Sequence, residues 1–93
     1  MTYKIETAEN YQITDKMSGI NDLKTAVEIA VLSMKGRMVE HFNNGYDRKF
    51  NISEEIKDDN DSTKVVGHTF VNGYFNEETK DCFVETISIL PED

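Results

Sequence analysis

The chain has little positive charge, one cysteine and one proline: ten basic residues stand against eighteen acidic ones among 93. Each scarcity removes a class. A lone Cys82 cannot close an intrachain disulfide, so a cytoplasmic protein held by packing is the economical expectation. The only proline, Pro91, stands at the far end, where it stops the last strand and leaves residues 21–43 free to run as one helix. No apolar run approaches the roughly 18 residues of a membrane span. Met1 to Asn10 alternates polar and apolar residues and carries Glu6 and Glu9, unlike a signal or transit peptide. The five glycines, at 19, 36, 45, 67 and 73, are scattered. They form no Gly-rich turn from strand to helix, and so no phosphate cradle.

The charge is also uneven. Residues 1–22 carry −2, residues 23–49 carry +2 and residues 50–93 carry −8, the last from three basic and eleven acidic side chains. Such a surface repels nucleic acid and anionic lipid and attracts basic partners. Direct nucleic-acid and membrane binding are therefore not expected. Contact with a nucleic-acid-binding protein is.

A hydrophobic content of 38% with nine aromatic residues lies above the disordered class. One domain, residues 1–93, is expected, burying about two-thirds of its surface on folding. That is too small for both a core and a deep substrate cavity.

Tyr3, Ile5 and Thr7 alternate with Lys4 and Glu6, the period of a half-buried strand. Residues 8–19 lose that period; Tyr11 and Ile13 extend the sheet and Ser18-Gly19 reads as a turn. A helix follows from Asn21, the N-cap, to about Asn43, with Gly45 placed to take a left-handed cap. At 100° per residue, Leu23, Val27, Ala30, Val31, Met34, Met38 and Phe42 gather on one stripe, the expected core face. Ile29, Leu32, Gly36 and Val39 gather on nearly the opposite side, with heptad-like spacing. One sheet cannot cover both. Either the 8–19 segment folds over this seam, or a second copy meets it across a two-fold axis.

After the helix, Tyr46, Arg48, Phe50 and Ile52 alternate as a strand that Ile56 continues. Val65 to Phe75 and Cys82 to Leu90 form two more, with Gly67 and Gly73 as bulge sites. Short polar connections make the last three strands an antiparallel meander. The fold class is α+β: one long helix packed on a three- to five-stranded, mainly antiparallel sheet, in the order β-(β)-α-β-β-β.

Chemistry is sparsely signalled. The Asp58–Ser62 cluster fails the calcium-loop pattern, because position 6 is Thr63 or Lys64 and position 12 is Thr69 or Phe70. His41 falls on the core-facing stripe and reads as structural. His68 and Cys82 lie on strands that pair nearby, but no orienting group or oxyanion site accompanies them. No metal site, cofactor or catalytic residue is expected, and the chain reads as a non-enzyme. The carboxylates Glu54, Glu55, Asp58, Asp59, Asp61, Glu77, Glu78 and Asp81 are the candidate partner-binding face. They form one patch if the connections at 54–61 and 76–81 open from the same side of the sheet. Against this stands the rule that alternate turns of a meander emerge at opposite ends. Alternate strand residues stand about 6.5–7 Å apart, close to the phosphate spacing of a nucleic-acid strand.

In size, acidity, lone cysteine and lack of catalytic signature the chain resembles small phage- or mobile-element-encoded inhibitors, including anti-restriction and anti-CRISPR proteins. The likeness is one of totals and rests on no particular residue. It implies an anti-defence DNA mimic. The function expected is an acidic inhibitor or adaptor that occludes a basic surface of a nucleic-acid-handling protein, as a dimer through Ile29, Leu32, Gly36 and Val39. The alternative is a small-molecule binding or sequestering protein with its pocket at a dimer interface.

Overall fold

The computed structural model describes residues 1–92; Asp93, counted in the C-terminal charge, lies outside them. Five strands and one helix follow in the order β1 (Thr2–Glu9), β2 (Gln12–Ile20), α1 (Leu23–Asn43), β3 (Asp47–Lys57), β4 (Val65–Phe75) and β5 (Cys82–Glu92). The strands form one antiparallel sheet, ordered β2-β1-β5-β4-β3. The expected α+β class and element order hold.

The helix starts one residue later than the sequence suggests. Asp22, not Asn21, is the N-cap, and its carboxylate accepts the Thr25 N–H at 2.8 Å and the Thr25 hydroxyl at 3.0 Å. These two donors hold the Asp22 carboxyl below its ordinary value of 3.8. At the other end Gly45 takes φ +90°, the left-handed conformation that glycine adopts without a Cβ clash.

One face of the sheet receives the helix. Ile5, Ile20, Ala26, Ala30, Phe70, Ile87 and Ile89 are buried there, and Leu23, Val27, Ile29, Val31 and Met34 pack against them. Ile87 and Ile89 are fully buried, each stabilising the fold by about 1.5–3 kcal/mol. Ala26 and Ala30 are small enough to bring the helix close to the strands. The stripe differs in part from the expected one: His41 turns to the sheet as expected, but Arg37 joins it there and Phe42 is 45% exposed. The reason lies beneath them, where Glu85 is buried on β5 and needs polar neighbours.

Residues 8–19 extend the sheet as expected, with Ile13 in β2, but their turn is elsewhere. The turn is Asn10-Tyr11, both with positive φ (49° and 69°), which suits a two-residue hairpin between twisted strands. Ser18-Gly19 lies inside β2 instead. There Tyr3 faces Ile20 but Ile5 faces Met17, so the strand bulges, and Gly19 supplies φ +75°. From Gln12 to Gly19 every β2 residue is exposed, so this segment forms a sheet edge and does not cover the helix seam.

The apolar alternation of β3 serves the face away from the helix. A bulge between Arg48 and Phe50 shifts the phase, so Phe50, Ile52 and Ile56 stand opposite Gly73, Val71 and Gly67. Asn51, Ser53 and Glu55 take the helix side. Of the two bulges expected on β4, the one at Gly73 falls on the partner strand, where Lys49 is the extra residue. The one beside Gly67 lies on β4 itself, where Val66 is extra.

Candidate functional site

The eight candidate carboxylates do not form one face. Glu54 and Glu55 lie on β3, and Asp58, Asp59 and Asp61 on the β3–β4 hairpin; Glu77, Glu78 and Asp81 lie on the β4–β5 turn. Because β4 runs 11 residues between the two turns, they open at opposite ends of the sheet, about 33 Å apart. The far group is also partly engaged: Glu77 meets Lys49 at 3.5 Å and Lys80 at 3.7 Å. Asp81 accepts the Tyr46 hydroxyl at 2.6 Å.

Glu54, Glu55, Asp58, Asp59 and Asp61 do gather at one end. Asp58 accepts the Asn60 N–H at 2.8 Å. Asp61 accepts the Thr63 hydroxyl at 2.6 Å and its N–H at 3.0 Å, which holds its carboxyl below the ordinary 3.8. The hairpin is thus a turn closed by its own side chains. Beside it, exposed Phe50 and Ile52 continue along the outer side of edge strand β3.

Three of the four seam residues face solvent. Leu32 is 69% and Val39 55% exposed, Gly36 is exposed, and Ile29 instead packs partly on the core. His68 and Cys82 do not meet. His68 lies opposite Ile89 on the helix side and bonds Ser53 at 2.7 Å; Cys82 is exposed on the other side, opposite Phe75. Seven ladder positions, about 23 Å, separate them.

A polar cluster between the C-terminal half of α1 and the sheet was not anticipated. Glu9 on β1 and Glu85 on β5 are direct cross-strand partners, and Glu85 is fully buried. His41 Nε2 approaches Glu85 Oε2 at 2.9 Å, and Arg37 Nη1 lies 4.0 Å from the same oxygen. The His41 ring packs 4.6 Å from Tyr74 and 4.8 Å from Phe83, centroid to centroid. Three buried atoms here lack a hydrogen-bond partner among the described residues: Glu85 Oε1, Asn72 Nδ2 and Tyr74 Oη. Burial, and then the charge of Glu85, push the Tyr74 phenol above its ordinary 10.0, with Arg48 opposing. One sequence signal marks the cluster. Glu85 occupies an inward position of β5, in phase with Phe83, Ile87 and Ile89.

Comparison with protein families, with curated proteins and with solved structures finds no match.

Proposed function

We propose that this protein works by binding: it is an acidic inhibitor or adaptor that covers a basic surface of a nucleic-acid-handling protein. One observation carries the reading. Edge strand β3 and its hairpin join exposed apolar side chains, Phe50 and Ile52, to Glu54 on the same face and to the hairpin carboxylates Asp58, Asp59 and Asp61 beyond it. Only Lys57 and Lys64 offset them in that stretch, and Lys57 is held at 3.4 Å by Glu55. An apolar centre with a charged rim is the composition of a protein interface. The apolar part supplies affinity, and the charge supplies steering and partner choice. Glu77, Glu78 and Asp81 belong to the far end and take no part in this surface.

The exposed helix seam supports a dimer of such units, formed through Leu32, Gly36 and Val39. A two-fold pair would present two acidic edges at once.

The test is affinity capture from host lysate, with bound proteins identified by mass spectrometry and eluted across a salt gradient. Nucleic-acid-handling proteins should be retained at low salt and released by about 1 M, where screening shortens to about 3 Å. The quadruple change Glu54→Gln, Asp58→Asn, Asp59→Asn, Asp61→Asn should lose them. Glu77→Gln with Glu78→Gln and Asp81→Asn should keep them. Capture indifferent to salt and to both variants would overturn the reading.

A further inference from the structure

We propose that Glu9, His41 and Glu85 form a binding site for one divalent transition-metal cation, of the zinc or manganese class. The three residues come from β1, α1 and β5, and one ligand atom from each lies within 4.8 Å of the other two.

The arrangement is costly without a cation. Like charges placed directly opposite each other on antiparallel strands destabilise the pair. Here Glu9 faces Glu85, and Glu85 has no exposure to water that would screen it. The protein's own counter-charges fall short. Arg37 sits at 4.0 Å, beyond hydrogen-bonding distance, and its Nη2 turns to Asp15 at 3.4 Å. His41 reaches only Oε2, leaving Oε1 of a fully buried carboxylate without a partner. An orphaned charged oxygen of this kind marks a place for a ligand.

The chemistry of the donors selects the cation. One imidazole nitrogen with two carboxylates suits zinc or manganese, whereas magnesium and calcium favour all-oxygen shells. Tetrahedral zinc with bonds of about 2.0–2.1 Å holds its ligand atoms roughly 3.3 Å apart. The set therefore closes with a small swing of Glu9, which is half-buried at the end of β1 beside the Asn10-Tyr11 turn. That position also gives the cation a way in. Three protein ligands leave a fourth position open, and the unpartnered Asn72 amide and Tyr74 hydroxyl lie beside it as donors for a bound water or anion. This site stands apart from the acidic edge proposed above, and the two are tested independently.

The experiment is calorimetric titration of metal-stripped protein with zinc chloride and with manganese chloride at neutral pH, with thermal melts alongside. One saturable site per chain is expected, zinc binding more tightly than manganese. Glu9→Gln and His41→Gln should each weaken it by at least about tenfold and abolish the metal-dependent rise in melting temperature. Glu9 is half-exposed, so its variant keeps the test open even if Glu85→Gln does not fold. Cys82→Ser, and the triple change Asp58→Asn, Asp59→Asn, Asp61→Asn, should leave the affinity unchanged. Three results would overturn the proposal: no saturable binding by the wild type, unchanged affinity in both ligand variants, or loss of binding in the Cys82 or hairpin controls. The first would leave a closed ion cluster satisfied by water.

Discussion

The ring of Phe50 rests on Gly73 across the β3–β4 ladder, in the space that a Cβ would occupy. Gly73 is buried beneath it although Phe50 itself is 40% exposed. Gly73→Ala should therefore destabilise the protein by about 1–3 kcal/mol, the usual cost of overpacking. In the Phe50→Ala background the same change should cost much less. Urea unfolding of the four proteins measures the coupling, and additive effects would show that the ring does not depend on the glycine.

The helix seam predicts association without a folding penalty. Leu32→Glu and Val39→Glu alter side chains that are 69% and 55% exposed. They should turn a dimer into a monomer on light scattering while moving the melting temperature little. Ala30→Glu, which buries a charge against the sheet, should unfold the chain. A wild type that stays monomeric at every concentration would remove the seam as an interface.

Alkaline stability should depend on Tyr74. Its folded-state phenol lies above the ordinary 10.0 because of burial and the nearby Glu85 charge. The associated stability is present below pH 10.0 and is lost as pH climbs through the folded value. Tyr74→Phe keeps the ring against His41 and Phe83 but removes an orphaned hydroxyl. The variant should be no less stable at neutral pH and should resist alkali better, measured by urea midpoints along a pH series. Tyr46, which donates to Asp81, should also ionise late by tyrosinate absorbance.

At the acid end the N-cap gives a contribution of opposite sign. The Asp22 carboxyl is held below 3.8, so its contribution is present above that value and disappears as pH falls through the folded one. Asp22→Ala should melt earlier than wild type at neutral pH. The gap should narrow in acid, and a gap constant with pH would detach the cap from this charge.

The fold was legible where one face had to be buried. The long helix and the meander of β3, β4 and β5 follow from period, caps and turns. Strand β2 was legible only in part, because its side chains are exposed to Gly19 and nothing imposes an alternation on them. The phase of β3 was hidden by a bulge, which cannot be read from apolar spacing alone. Phe42 misled for another reason. Apolar periodicity takes no account of a buried carboxylate on the sheet, and Glu85 drew Arg37 inward beside His41, which already fell on the core-facing stripe. Glu9, His41 and Glu85 lie on three elements, 32 and 44 residues apart along the chain, and only strand order brings them together. The splitting of the acidic residues is topological as well, since successive turns of a meander point in opposite directions.

Both outer strands, β2 and β3, leave a row of backbone donors and acceptors open to water. Irregular register on β2 and β3, together with the mutual repulsion of Glu54, Glu55 and their neighbours, guards against stacking one chain onto the next. Acid that neutralises those carboxylates strips one of these safeguards. The folded protein should then grow into ordered fibres along β3, and turbidity should rise with acidification before the fold itself is lost.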